Sequence, residues 1–105
     1  MEKLQSMDQY QEIINGEHTV LMFSADWCPD CRFIDPFLPD LEKENEAVTF
    51  YYVDRDKFID LCADLNVFGI PSFVGFHKGQ ETGRFVSKDR KTKEEIQEFL
   101  NSIQS

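Results

Sequence analysis

The chain has 105 residues, enough for one domain with a sizeable core, and we predict a single domain over residues 1–105. Its 20 acidic and 11 basic residues give a net charge of −9, which argues against nucleic-acid binding because that function needs a basic face. With 41% hydrophobic residues and only three cysteines, the chain lacks the composition of a secreted protein held together by disulfides.

The first part of the chain predicts a helix, a strand and a second helix. Ser6 and Gln9 have the spacing of a capping box that opens the first helix. Residues 19–25 are apolar on both faces, as in a central strand that helices cover on both sides. The second helix follows Cys28, and Pro36 inside it predicts a kink.

The middle of the chain predicts a further strand and helix, followed by a hairpin. Residues 48–53 indicate a second buried strand, and Asp56 is expected to cap a short helix after it. Strand signals at residues 72–77 and 81–86 flank a turn at residues 78–79, which indicates an antiparallel pair.

A last helix is predicted to begin with a second capping box, formed by Thr92 and Glu95, and a short strand is expected near Lys3. In this order, the elements predict an α/β fold in which a central mixed β-sheet is flanked by four helices. The sheet is mixed because the hairpin adds antiparallel strands to parallel ones.

The segment Trp27-Cys28-Pro29-Asp30-Cys31 lies where the central strand leads into the second helix. Pro29 suits the first helical position, which makes Cys28 the N-cap residue. A cysteine there faces unpaired backbone N–H groups and the positive end of the helix dipole, which stabilise the thiolate that attacks disulfides. Cys31 lies one turn further on the same face, within reach of a disulfide to Cys28. The spacing therefore predicts a reactive dithiol.

Several motifs, in this order, resemble the thioredoxin family. They are Trp27-Cys28-x-x-Cys31, Pro36, Asp54 at a strand end, Gly69-Ile70-Pro71 and Gly79 in the hairpin turn. The resemblance covers nearly the whole chain and implies the thioredoxin fold. It also implies that the Ile70–Pro71 peptide bond is cis, that Pro71 stacks beside the cysteines, and that the backbone of Ile70 pairs with a bound substrate strand.

The chain departs from the family pattern beneath the cysteines. Typical thioredoxins have a buried aspartate six positions before the first cysteine, where this chain has Met22, and the lysine partner of that aspartate falls on Phe50. Apolar residues are therefore expected to replace a buried ion pair. Asp26 and Asp30 are the nearest titratable groups in sequence that could relay protons instead, with Asp26 as the first candidate.

These features predict a thiol–disulfide oxidoreductase that reduces protein disulfides. Cys28 is predicted to attack the substrate and form a mixed disulfide, which Cys31 resolves. The residues expected to support the site and bind the substrate are Trp27, Pro29, Asp30, Gly69, Ile70 and Pro71.

The resemblance implies that the substrates are disulfide-containing proteins and that an NADPH-dependent thioredoxin reductase restores the dithiol. We expect a monomer that holds no cofactor, and no metal ion because the sequence has no second Cys/His pair at ligand spacing. No apolar run reaches the length of a bilayer span, and residues 1–15 lack a signal-peptide pattern. We therefore expect a cytoplasmic location without membrane contact.

Two other functions remain open from the sequence. One is a binding module that keeps the thioredoxin fold for the sake of a partner. The other is a carrier in which two cysteines per subunit hold a metal or an iron–sulfur cluster across a dimer.

Two features outside the motif also carry expectations. The basic segment, residues 84–93, has a local charge of +4 and is either a solvated loop or a surface that attracts anionic partners. Cys62 is expected to be a small buried hydrophobic residue rather than a third redox thiol.

Overall fold

In a computed structural model of the chain, which describes residues 1–104, five strands form one sheet. They are β1 (Glu2–Lys3), β2 (Thr19–Ser24), β3 (Thr49–Asp54), β4 (Ser72–His77) and β5 (Gln80–Phe85). Their order in the sheet is β1-β3-β2-β4-β5. The first three run parallel to one another, whereas β4 is antiparallel to β2 and to β5. The predicted mixed sheet is confirmed.

Helices cover both faces of the sheet. They are α1 (Met7–Ile13), α2 (Pro29–Ile34), α3 (Leu38–Glu44), α4 (Ile59–Asp64) and α5 (Lys93–Gln104). A 3₁₀ helix at Asp35–Phe37 separates α2 from α3 and contains Pro36, so the predicted kink is confirmed. If this kinked pair counts as one helix, four helices flank the sheet as predicted. None of the helices in residues 1–104 is long and apolar enough to cross a membrane.

The central strand β2 is buried on both faces. Leu21 and Phe23 pack into the core beneath α1 and α4, whereas Val20 and Met22 pack into the core beneath α3 and α5. All four side chains are fully buried. This alternation accounts for the uninterrupted apolar run in the sequence. Because β2 is packed on both faces, the residues that follow Ser24 start from a fixed position at the carboxyl end of this strand.

The capping boxes form to different extents. The second is complete, because the N–H of Thr92 donates to Glu95 Oε1 at 3.0 Å and the N–H of Glu95 donates to Thr92 Oγ1 at 3.1 Å. In the first, Ser6 Oγ accepts from the N–H of Gln9 at 3.1 Å. The Gln9 side chain accepts from the N–H of Gln5 instead of completing the box.

The predicted cap at Asp56 is wrong. Asp54, the last residue of β3, accepts hydrogen bonds through Oδ1 from the N–H groups of Asp56 at 2.9 Å and Lys57 at 3.4 Å. This turn occupies the chain before α4, which begins only at Ile59 and has no side-chain cap at Phe58. The carboxylate two residues earlier therefore organises the turn, a choice that spacing alone does not reveal.

The hairpin turn forms at the predicted residues. Lys78 and Gly79 have φ values of +50° and +89°, which a two-residue turn with the twist of its flanking strands requires. Glycine adopts this conformation without steric cost, so its position in the turn follows from the backbone.

Candidate active site

The two cysteines of the predicted dithiol lie where β2 leads into α2. Cys28 is the N-cap residue of α2 and Pro29 is the first helical residue, as predicted. The backbone N–H of Cys31 donates to Cys28 Sγ at 3.2 Å. The sulfur therefore receives one of the N–H groups that the first helical turn leaves unpaired, an interaction that favours a negatively charged acceptor.

The two sulfurs differ in their environments. Cys28 is 4% exposed and Cys31 is fully buried. Burial, together with hydrogen bonding to Cys28, raises the pKa of the Cys31 thiol to about 11, although the nearby Ser24 hydroxyl and the backbone at Ala25 act in the opposite direction. Cys31 is consequently held as a thiol at neutral pH.

Ser24 is a buried polar residue next to this pair that the sequence analysis did not single out. It is fully buried at the end of β2, and its hydroxyl does not reach hydrogen-bond geometry with any partner among residues 1–104. It lies near enough to Cys31 to lower the pKa of that thiol. Because this hydroxyl can donate to a thiolate, it would stabilise a negative charge on the Cys31 sulfur.

The segment Gly69-Ile70-Pro71 faces the cysteines. The Ile70–Pro71 peptide bond is cis, as the resemblance implied. The Cys28 thiol donates to the carbonyl oxygen of Ile70 at 3.9 Å, and Ile70 packs against the buried cluster of Ala25, Cys28 and Cys31. The structure therefore brings together the two motifs, which are about 40 residues apart in the chain.

Gly69 allows a second loop to approach the site. A Cβ atom at Gly69 would lie 2.5 Å from the carbonyl carbon and oxygen of Ser87 and 2.7 Å from the nitrogen of Lys88. Those contacts are closer than backbone atoms tolerate, so the loop at residues 87–91 packs here only because position 69 is glycine.

The basic segment is not one continuous solvated surface. Lys91 is 1% exposed and donates through Nζ to the carbonyl oxygens of Ser87 and Asp89 and to the Ser87 hydroxyl, at 3.1–3.2 Å. Burial lowers the pKa of its ammonium group. Arg84 is bound to Glu81, with its closest contact at 2.7 Å. The expectation of a solvated segment is therefore wrong for Lys91, whose buried ammonium group stabilises the loop through these hydrogen bonds.

Asp30 is paired with a cation from the same loop. Arg90 Nε donates to Asp30 Oδ1 at 2.9 Å, and the Arg90 guanidinium lies 4.4 Å from the centre of the Phe33 ring. The negative charge two positions after Cys28 is thus partly compensated by Arg90.

The predicted relay residue Asp26 lies on the surface. Its side chain is 92% exposed and forms an ion pair with Arg32 at 3.7 Å. Met22 and Phe50 both lie in the core beneath α3 and α5, as expected from their apolar character. Cys62 is also buried, in the opposite core, and burial raises the pKa of its thiol, so its predicted place in the core is confirmed.

Trp27 forms one wall of a groove beside Cys28. Its side chain is 60% exposed, and its Nε1–H donates to Asp56 Oδ2 at 2.8 Å. The groove is also lined by Arg55 and Phe68, which the sequence analysis did not identify, and by Lys88 from the basic segment. A motif search finds residues close to the cysteines in sequence, whereas Arg55 and Phe68 reach the groove from other loops.

A dithiol at a helix N-terminus, facing a cis-proline segment across a groove, defines a thiol–disulfide oxidoreductase built on the thioredoxin fold. A family model described as Thioredoxin matches residues 2–102, and the chain belongs to the thioredoxin family. Because the proteins of this family are protein-disulfide oxidoreductases, the chain is an enzyme of that class.

Individual relatives agree with this assignment. Mitochondrial thioredoxin-2 of Schizosaccharomyces pombe is 39% identical over 90 residues, which are 85% of this chain and 68% of the relative. Thioredoxin of Bos taurus is 34% identical over 106 residues, 98% of each chain. These relatives do not favour the binding-module and metal-carrier alternatives.

Solved structures show the same fold. Mitochondrial thioredoxin 3 from Saccharomyces cerevisiae superposes with a TM-score of 0.85 at 24% identity, over 96% of this chain and 93% of the other. Fasciola hepatica thioredoxin gives a TM-score of 0.80 at 29% identity, over 96% and 97% of the two chains. The predicted fold class is confirmed.

Proposed function

We propose that Cys28 is the nucleophile and Cys31 the resolving cysteine in the reduction of protein disulfides. The observation that carries this assignment is the difference between the two sulfurs. Cys28 lines the groove and accepts an N–H hydrogen bond, whereas Cys31 is fully buried and has a pKa of about 11. A substrate disulfide therefore meets Cys28 first.

The reaction consists of two exchanges. In the first, the Cys28 thiolate attacks one sulfur of the substrate disulfide, a new S–S bond forms, and the other substrate sulfur leaves as a thiolate that takes up a proton. In the second, Cys31 loses its proton and attacks Cys28 Sγ, which releases the remaining substrate thiolate. Two electrons pass to the substrate, and the protein keeps a Cys28–Cys31 disulfide.

The supporting roles rest on position. In the proposal, Trp27 and Pro29 shape the approach to Cys28, and Gly69, Ile70 and Pro71 hold the substrate strand through the backbone of Ile70. Their support is that all five residues border the groove or adjoin its lining. Asp26 remains the proposed proton relay because of its position in the sequence. Its side chain is 92% exposed, so the structure adds no contact with the cysteines to this role.

The proposal includes an NADPH-dependent thioredoxin reductase as the donor of electrons to the oxidised protein. It also includes a monomer organised as one domain over residues 1–105, and a cytoplasmic location.

The experiment that tests the chemistry and the donor is insulin reduction, with either dithiothreitol or NADPH plus thioredoxin reductase. Turnover in both assays is expected. Turnover with dithiothreitol alone would contradict the donor and keep the chemistry, whereas turnover in neither would contradict both.

Ser24→Ala is expected to slow resolution of the mixed disulfide at neutral pH. The hydroxyl lowers the pKa of Cys31, so removing it raises that pKa and leaves less of the attacking thiolate. At pH values well below the pKa of Cys31, resolution should accelerate about tenfold per pH unit in both proteins, because the thiolate fraction does so. Stopped-flow measurement from pH 7 to 10 should show the rate profile of Ser24→Ala shifted to higher pH and parallel to that of the parent. Ser24→Thr keeps a hydroxyl, so its profile should lie close to that of the parent. Superimposed profiles would leave Ser24 without a role in resolution.

Asp30 and Arg90 are expected to tune the reduction potential in opposite directions. The Asp30 carboxylate disfavours a nearby thiolate, so Asp30→His should stabilise the reduced form and raise the potential. Arg90→Gln should leave Asp30 uncompensated and lower it. Equilibration with glutathione measures the reduction potentials of both variants and of the parent. If Asp30→His proves as reducing as the parent, Asp30 does not tune the couple.

A further inference from the structure

Two large aromatic side chains, Trp27 and Phe68, are exposed in the groove beside Cys28 instead of packing into the core. The groove has a volume of about 330 Å³, and its lining includes the apolar side chains of Trp27, Phe68 and Ile70. Phe68 is 76% exposed and Trp27 is 60% exposed. Exposed aromatic side chains grouped at one concave surface indicate a contact with a partner rather than a contribution to the core.

The charges that line this groove are mainly positive, although the protein as a whole carries −9. The cations are Arg55 and Lys88, and the single acid in the lining, Asp30, is bound to Arg90 at 2.9 Å. Arg55 has Asp56 at 3.6 Å. Lys88 is exposed and has no ion pair within 4 Å among residues 1–104. The groove therefore offers a free cation beside the attacking sulfur.

We infer that this groove selects substrate disulfides that have an acidic residue next to the attacked cysteine, with an apolar side chain placed against Trp27 and Phe68. The inference rests on the proposed function, because the substrate disulfide is the oxidant in the same two-step exchange. It adds the substrate class: an extended acidic segment with an apolar residue, carried by a disulfide-bonded protein.

Two observations favour an acidic partner over a neutral or basic one. Lys88 and Arg55 come from different loops, and both border the space that the substrate must enter. The rest of the surface is acidic, so a basic substrate would be held by the surface in general, whereas an acidic one gains attraction only at this groove. Such a local attraction confers specificity of orientation.

The size of the effect follows from the exposure of the groove. A single exposed ion pair changes an equilibrium by about two- to five-fold, and salt weakens it. We therefore expect kcat/KM for an acidic peptide to exceed that of its neutral counterpart by about this factor at low ionic strength. At about 1 M salt, where charges are screened within about 3 Å, the preference should vanish.

The test uses three peptides, identical except for Glu, Gln or Lys next to a disulfide-bonded cysteine. Reduction of each is measured at 20 mM and 1 M NaCl with the parent, Lys88→Gln, Arg55→Gln and Lys43→Gln. The last variant makes the same change in net charge on an exposed residue of α3 outside the groove. Reduction of the three peptides by dithiothreitol corrects for their intrinsic reactivity.

The expected order for the parent at low salt is Glu, then Gln, then Lys. The Glu-to-Gln ratio should fall toward one in Lys88→Gln, fall in Arg55→Gln, and stay at the parent value in Lys43→Gln. Equal rates for the Glu and Gln peptides with the parent would overturn the inference and leave the proposed function standing. So would an equal change of the ratio in Lys43→Gln. Failure of the parent to reduce any of the peptides would instead overturn the proposed function.

Discussion

Cys28→Ser is expected to abolish disulfide reduction, whereas Cys31→Ser is expected to stop after the first exchange and accumulate mixed disulfides. A serine hydroxyl is not ionised near neutral pH, so the first variant lacks an attacking group. The second keeps the sulfur that lines the groove and loses the buried one that releases the product. Non-reducing electrophoresis and mass spectrometry after incubation with a disulfide-bonded protein measure the two outcomes.

Cys62→Ala is the matched control for this pair. Cys62 is 3% exposed and packs in the core under α1 and α4, in a different cluster from Cys28 and Cys31, so its loss should leave the trapping pattern unchanged. Mixed disulfides that form on Cys28→Ser but not on Cys31→Ser would reverse the assignment of the two roles.

The parts of the site that the sequence predicted are those that depend on neighbouring residues. Cys28 as N-cap with Pro29 after it, and the turn at Lys78 and Gly79, follow from the backbone preferences of a few adjacent positions. The kink at Pro36 has the same local origin, because proline removes a donor wherever it stands. Such features survive any tertiary arrangement and can therefore be predicted without one.

The parts that the sequence did not predict depend on how distant loops pack. Lys91 lies in a run of charges that normally faces water, and its burial arises only because the loop at residues 87–91 folds against Gly69. The pairing of Arg90 with Asp30 spans 60 positions of the chain. Phe68 is indistinguishable from a core residue by type, and only its 76% exposure reveals the groove. The type of a residue indicates whether it favours a buried or an exposed position, but the packing of the fold determines which position it takes.

Met22→Asp is expected to destabilise the protein strongly at neutral pH. Met22 is fully buried among apolar side chains beneath α3 and α5, and its partners on the neighbouring strands are the aromatic residues Tyr52 and Phe73 rather than a cation. The substitution removes buried apolar contacts and introduces a carboxyl without a partner. Together these effects should lower the free energy of unfolding by about 3 kcal/mol or more. For a domain of this size, the melting temperature should fall by more than about 10 °C.

The pH dependence of this loss separates the buried charge from the lost packing. Burial raises the pKa of the introduced carboxyl above its value in the unfolded chain, about 3.9. The unfolded state then releases its proton first, so stability falls as pH rises above about 4, by about 1.4 kcal/mol per unit until the folded form also ionises. Met22→Leu, which keeps an apolar side chain of similar volume, should cost less than about 1.5 kcal/mol at every pH. Thermal unfolding of both variants at pH 4 and pH 7 measures the difference. A melting temperature of Met22→Asp that matches the parent at pH 7 would mean that the site admits water or a compensating cation.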